Sequence, residues 1–254
     1  AGAAQTAVAG RYKLAYDSAG DRLSVRQFDF GAGKAVARTS GYLLFGKKGA
    51  ADLKTNVSEA PLPDVARLLP VFGVTLPSGS SLAEGTLTGG MLTHGPLHRL
   101  SRQGSLHIRN GRLVNYNVAG QLGSVIRLVG VDTGGKDTVI EEFKSSFVSQ
   151  NAYTTVKDLL LVIPGLTING EGGFADDGAL SFQGTGTLTR AGSGVGGLLA
   201  RVTGSSATVP FRITGTLEHP VFQPDVGRIV SQQAQQQTGA GKLLKGLGGL
   251  FGKK

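Results

Sequence analysis

Residues 158–168, which read DLLLVIPGLTI, decide the fold that we predict for this chain. Residues 159–163 are apolar at every position, so a strand here presents apolar side chains to both faces of a sheet. The uncharged apolar run, residues 159–168, is about half as long as the ~20 residues that a membrane-spanning helix needs. The segment therefore predicts buried strands and not a membrane span.

Short stretches with alternating apolar and polar residues predict further strands on both sides of this segment. Tyr12, Leu14 and Tyr16 form one such stretch. The pattern changes phase between Val25 and Phe28, which predicts a β-bulge. The 41 glycines are more than twice the usual ~7% share, as in a β-protein with many bends and close backbone approaches.

Two turn signals separate the later strands. Asn110-Gly111 predicts a hairpin turn between Leu106 and Leu113, and Asp176-Asp177-Gly178 predicts a second turn. Because strands at this spacing pair most simply with their chain neighbours, we predict an antiparallel meander.

Three segments have helical rather than strand periodicity. Pro63 and Asp64 begin the first helix, which presents Val65, Leu68 and Leu69 on one side and ends at Pro70. Residues 120–129 and 194–202 repeat this spacing of apolar residues. The predicted fold class is mainly β, a curled antiparallel sheet that forms an apolar groove, with about three short helices as lids.

The chain divides after Asp225. Residues 1–225 form the predicted β-rich groove domain, and residues 226–254 form a Gln-rich linker and a tail rich in Lys and Gly. The tail places an apolar stripe opposite its lysines, which predicts contact with an anionic membrane surface; the alternative is a frayed tail weakened by its glycines. The residues predicted for this contact are Lys242, Leu243, Leu244, Leu247, Leu250 and Phe251.

The net charge of +9 does not indicate a nucleic-acid partner. Basic residues beyond Asp225 supply +5 of this charge. Residues 1–225 have a net charge of +4, and their basic residues do not cluster in the sequence. Nucleic-acid modules cluster basic residues on one face among stacking aromatic residues, whereas this chain has no Trp. The absence of Cys excludes disulfides, thiolate metal sites and cysteine nucleophiles.

No group of residues predicts catalysis, a metal site or a cofactor. His94 and His98 have the spacing of two zinc ligands on a helix, but Gly95-Pro96 between them prevents that helix. The neighbours Glu141 and Glu142 would point to opposite faces of a strand. We therefore predict a protein that is not an enzyme and that binds no cofactor.

Residues 60–225 resemble the C-terminal region of the AsmA family. The similarity follows a series of short features in order, among them Gly85-Thr86-Leu87-Thr88-Gly89 and His94-Gly95-Pro96-Leu97. The most specific feature is the ending, which reads VPFRITGTL over residues 209–217 and PVFQPD over residues 220–225. One departure is Gln150-Asn151-Ala152, where the family commonly has Asn-Gly.

The resemblance implies an envelope-biogenesis protein of Gram-negative bacteria. Family members extend into the periplasm from an N-terminal inner-membrane helix, a segment that we expect to lie outside the sequence given. They are similar to bridge-like lipid-transfer proteins, in which a curled antiparallel sheet forms an apolar groove for acyl chains. The implied partner is phospholipid, while envelope protein partners stay undefined.

Two functions remain after these exclusions. The first is a non-enzymatic lipid-handling module that binds or conducts phospholipid acyl chains between the inner and outer membrane. The second is a structural periplasmic β-scaffold for envelope protein assembly, with no lipid ligand. For the first, the residues predicted to line the groove are Leu160, Val162, Leu166, Ile168, Phe182, Phe211 and Ile213.

Overall fold

The structure, a computed structural model, describes residues 8–47, 49–69, 76–118, 135–188, 208–216 and 219–225. Within these ranges the chain forms twelve strands and one helix. In chain order the elements are β1 (Ala9–Asp17), β2 (Arg22–Ala32), β3 (Ala35–Leu44), β4 (Ala50–Pro61), α1 (Leu62–Leu68), β5 (Ser81–Pro96), β6 (Ser101–Val114), β7 (Thr138–Gln150), β8 (Tyr153–Ile163), β9 (Leu166–Ala175), β10 (Leu180–Leu188), β11 (Thr208–Gly215) and β12 (Pro220–Pro224).

All twelve strands belong to one sheet, whose spatial order is the order of the chain. Every neighbouring pair is antiparallel, from β1 with β2 to β11 with β12. The sheet is open, because β1 and β12 do not pair with each other in the described part of the chain. The mainly β fold and the antiparallel meander are thereby confirmed.

Helix α1 confirms the first of the three predicted helices. Pro63 lies in its first turn, where a missing N–H costs nothing. Val65 and Leu68 pack on the sheet against Ala32, Ala35 and Ala60. The other two predicted helices, residues 120–129 and 194–202, and the tail 226–254 lie outside the described residues.

The hairpin predicted at Asn110-Gly111 is wrong. Both residues lie within β6, which continues to Val114 and pairs with β5 and β7. Asn110 has a φ of +50°, and the register between β5 and β6 shifts beside it. The left-handed conformation that Asn-Gly favours therefore makes a bulge here and not a turn.

Similar bulges interrupt other strands. The predicted phase change between Val25 and Phe28 is confirmed as a register shift between β2 and β3. Glu59 in β4 and Asp158 in β8 lie at further shifts and have φ values of +48° and +50°. A bulge bends its strand and increases the local twist. Together with the bulge at Asn110, these three sites therefore prevent a flat sheet.

Candidate functional site

One face of the sheet is apolar across all twelve strands, and we call it the apolar face. Directly paired residues of antiparallel strands point to the same side, so a row of paired residues can be followed from β1 to β12. That row, the twelve-strand row, consists of Tyr12, Phe28, Thr39, Thr55, Met91, Gly104, Phe147, Val156, Gly172, Phe182, Ile213 and Phe222. It contains no charged residue, and its two threonines hydrogen-bond each other at 2.9 Å.

The opposite face is polar. A neighbouring row, displaced by one residue on each strand, runs over eight strands from β1 to β8 and contains no large apolar side chain. Its members are Arg11, Asp29, Arg38, Asn56, Gly90, Ser105, Ser146 and Lys157. The period-two alternation therefore gives this single sheet one predominantly apolar side and one predominantly polar side.

Five of the seven predicted groove residues lie on the apolar face. Phe182 and Ile213 belong to the twelve-strand row, and Phe211 pairs with Gly184 two positions along. Leu166 and Ile168 pair with Ile163 and Leu161 of β8, which also lie on the apolar face. These five residues are thus brought together on one side of the sheet.

Leu160 and Val162 lie on the polar face, so their grouping with the other five residues is wrong. Val162 pairs with Glu142, and Leu160 pairs with Lys144. The bulge at Asp158 sets the phase of the strand that follows, and it directs Leu159, Leu161 and Ile163 to the apolar face instead. A run that is apolar at every position carries no sequence signal for that phase.

The part of the apolar face over β8 to β11 is filled by its own side chains. Leu166, Ile168 and Phe211 are only 3–5% exposed and form a cluster with Ile163. The residues packed against this cluster are Val118, Leu159, Leu161, Val209, Ile213 and Phe222.

Phenylalanine rings on this face lie over glycines of the neighbouring strands. A Cβ atom at Gly104 would be 2.9 Å from Cζ of Phe147, and one at Gly184 would be 3.0 Å from Cζ of Phe211. An added Cβ atom would lie closer still to a backbone oxygen of the neighbouring strand, Gly90 O beside Gly104 and Asn169 O beside Gly184, so a larger residue would shift the strand as well as the ring. The glycines therefore allow each ring to lie low against the sheet, which is one use of the high glycine content.

Unfilled apolar space lies instead beneath α1. A pocket of about 250 Å³, partly open to solvent, is bounded by Val65 and Leu68 of α1, by Leu69 immediately after the helix, and by strands β3 to β7. The strand residues that line it include Ala37, Val57, Leu87, Met91, Leu106 and Phe147. Its volume is slightly below the ~300–1,000 Å³ of drug-sized ligand sites.

Sequence reasoning placed no ligand beneath α1. The sequence did predict that Val65, Leu68 and Leu69 share one side of the helix, and the structure confirms this side as the one over the pocket. The strand residues come from five segments of the chain, and no sequence spacing connects them.

Charged residues on the polar face form a small cluster near the middle of the sheet. Glu142 Oε1 accepts a hydrogen bond from Lys144 Nζ at 2.6 Å and lies 2.9 Å from His107 Nε2. The Lys144 ammonium, and then His107, hold the pKa of Glu142 below its usual value. This arrangement stabilises a carboxylate on an exposed surface, where ion pairs contribute little.

The described residues contain no group of three His, Asp or Glu side chains that could hold a metal ion. His94 lies in β5 and His98 lies in the turn that follows this strand. Within the same ranges, no helix has the length and apolar character required to cross a membrane. The predicted membrane-contact residues, from Lys242 to Phe251, are outside the described ranges.

Comparisons with known proteins add no relative to this picture. No protein-family profile, no curated protein and no solved structure matches the chain.

Proposed function

We propose that this chain is a non-enzymatic lipid-handling module that binds phospholipid acyl chains on the apolar face, with the pocket beneath α1 as the principal site. The observation that carries the proposal is the pocket itself, an unfilled space lined by apolar side chains on the apolar face. It has no metal-ligand group and no catalytic pair among its lining residues, so the ligand it suits is a hydrocarbon.

The dimensions of the twelve-strand row support conduction as well as binding. Neighbouring strands lie about 4.8 Å apart, so a row across twelve strands extends over roughly 50 Å. A strip of this length without a charged residue offers an acyl chain a continuous path across the strands. Such a surface favours movement along the row over tight binding at one point, because no hydrogen bond fixes the position of the chain.

The energetics of the pocket fit weak, reversible binding. Each methylene removed from water contributes about 0.8 kcal/mol, so six methylenes beneath α1 would contribute about 5 kcal/mol. Association costs at least about 4 kcal/mol in lost translational and rotational freedom. A short chain would therefore bind barely, and a long acyl chain that also covers neighbouring apolar surface would bind with useful affinity.

The remaining parts of the proposal follow the resemblance to the AsmA family. They are a periplasmic location, anchorage to the inner membrane by a segment outside this chain, and a role in moving phospholipid during envelope biogenesis. The tail residues Lys242, Leu243, Leu244, Leu247, Leu250 and Phe251 are proposed to contact a membrane surface. The acyl-chain site depends on the apolar face alone and is independent of the family assignment.

The first test is native mass spectrometry of the protein purified without detergent from a Gram-negative host. We expect phospholipid to be retained with the protein. Repeated recovery of protein free of lipid, together with no uptake from phospholipid vesicles, would contradict the proposal.

A substitution that fills the pocket provides the second test. Ala37 lines the pocket, and Ala37→Phe places a ring in the space that an acyl chain would occupy. Loss of contact with two methylenes, about 1.6 kcal/mol, weakens binding of a fluorescent fatty acid more than tenfold. Ser40→Phe, an exposed position of β3 on the polar face, is the matched control and should retain the affinity of the unmodified protein.

One observation favours a scaffold without a lipid ligand as the second candidate function. The cluster around Ile168 and Phe211 is already closed by its own side chains, as in a β-protein that only needs to fold. A scaffold would leave a fluorescent fatty acid fully accessible to an aqueous quencher in the unmodified protein, whereas a lipid-handling module would protect it.

A further inference from the structure

Helix α1 follows β4 directly, and a carboxylate in its first turn joins it to a second part of the sheet. Oδ2 of Asp64 accepts a hydrogen bond of 2.8 Å from the backbone N–H of Lys34, in the two-residue turn between β2 and β3. Its other oxygen, Oδ1, accepts a bond of 3.1 Å from Nη1 of Arg67, one turn further along the helix. The carboxylate thus joins α1 to a turn that is 30 residues away in sequence.

The residues at the start of α1 offer Asp64 no capping hydrogen bond within the helix. An acidic residue at the third helical position usually turns back to the N–H of the N-cap residue. The N-cap here is Pro61, which has no N–H, and the helix has no side-chain cap. The carboxylate, 16% exposed, is therefore available to a donor outside the helix.

The turn is shaped to receive the carboxylate. Gly33 has a φ of +59°, and a Cβ atom at this position would lie 2.5 Å from Cγ and Oδ1 of Asp64. The neighbouring residues Ala32 and Ala35 are small, almost fully buried and packed against the helix. Side-chain size on the turn and the position of the carboxylate therefore fit each other closely.

The same contact determines how α1 lies over the pocket. Val65 and Leu68 follow Asp64 within one turn and form part of the pocket wall, opposite Ala37 and Leu87. Among the described residues, Asp64 makes the side-chain hydrogen bond between α1 and the sheet, and the rest of the attachment is apolar, through the buried Leu62 and Leu68. Release of Asp64 from the turn would therefore allow the pocket wall to move away from the sheet.

We propose that Asp64 is a positioning residue that latches α1 over the pocket and so controls the rate at which an acyl chain enters and leaves. The inference rests on the proposed function, since it assigns a gate to the same site. In the latched state α1 covers one side of the chain and slows its exchange, and in the unlatched state the chain exchanges more freely with solvent or a membrane. The latch changes the frequency of opening and leaves the apolar contacts of the bound chain intact.

Stopped-flow exchange of a pyrene-labelled fatty acid tests the latch. A hydrogen bond to a carboxylate is among the stronger ones, so Asp64→Ala should raise the association and dissociation rates together by about tenfold. The dissociation constant should stay within about twofold of that of the unmodified protein. Asp64→Asn, which keeps an acceptor oxygen without the charge, should give an intermediate acceleration.

Two further variants make the test independent of the folding of one mutant. Gly33→Ala perturbs the latch from the side of the turn and should accelerate exchange in the same direction. Asp52→Ala removes an exposed aspartate from the polar face of β4 and should leave both rates unchanged. Amide hydrogen exchange should show lost protection at residues 65–68 in Asp64→Ala, with protection of β8 to β11 retained.

The possible failures are distinguishable. Uptake of the probe by the unmodified protein, with unchanged exchange rates in Asp64→Ala and Gly33→Ala, overturns the latch and leaves the proposed function standing. Weaker affinity with an unchanged association rate identifies a purely structural contact and also overturns the latch. Failure of the unmodified protein to take up any probe overturns the acyl-chain site and the gate with it.

Discussion

Ala152→Gly is predicted to stabilise this protein, against the usual effect of introducing glycine. Asn151 and Ala152 form the two-residue turn between β7 and β8 and close the pair Gln150 with Tyr153. Their φ values are +53° and +60°, the combination that a type I′ turn requires. Asn accepts this conformation readily, whereas Ala does not.

The size of the effect follows from two opposing contributions. Holding an L-residue such as Ala in the left-handed region costs about 1–2 kcal/mol, and glycine removes that cost. Glycine also increases the conformational entropy of the unfolded chain, which lowers the free energy of unfolding by about 0.4–1 kcal/mol. Ala152 is exposed and buries no side chain, so the net gain is about 0.5–1 kcal/mol. For a domain of this size the gain raises Tm by about 1–4 °C.

Urea titration monitored by circular dichroism measures the change in the free energy of unfolding. The matched control is Ala15→Gly, within strand β1, where glycine should destabilise by about 0.5–1 kcal/mol. Equal destabilisation by the two substitutions would refute the assignment of a strained left-handed Ala to this turn.

Two further predictions test the faces of the sheet and its charged cluster. Leu161→Lys brings a charge to the apolar face and should lower the free energy of unfolding, measured in thermal melts, by about 2–4 kcal/mol. Leu160→Lys on the polar face should change it by less than about 1 kcal/mol. Similar losses in both variants would contradict the register. Because the pKa of Glu142 is lowered in the fold, its contribution to stability is present above the usual value of 4.5 and disappears as pH falls through the lowered value. Glu142→Gln should therefore flatten the acid side of a Tm-against-pH curve, and an unchanged curve would show that the Lys144 contact is absent in solution.

The strands and their meander order could be read from the sequence because alternation and turn residues are local signals. The phase change near Val25 and helix α1 (Leu62–Leu68) were predicted from local signals of the same kind. Asn110-Gly111 misled the prediction because the same left-handed preference serves a turn or a bulge. Only the pairing of β6 with both neighbours distinguishes the two.

The candidate site was predictable in part. The register places Leu166, Ile168, Phe182, Phe211 and Ile213 on one face, and their role in lining a groove stays a prediction. The pocket beneath α1 was not predictable, because its walls come from one helix and five strands that the sheet brings together. The latch between Asp64 and the β2–β3 turn is nonlocal for the same reason.

The sequence by itself determined that this protein builds antiparallel strands with one apolar and one polar side, because alternation along a strand fixes which side chains share a face. The tertiary structure alone decided which of Leu159 to Ile163 lie on the apolar side and where that side stays unfilled. Both depend on a bulge at Asp158 and on the packing of α1 across β3 to β7. Bulge phase and interstrand packing are set by contacts between distant segments, and no local pattern of residues encodes them.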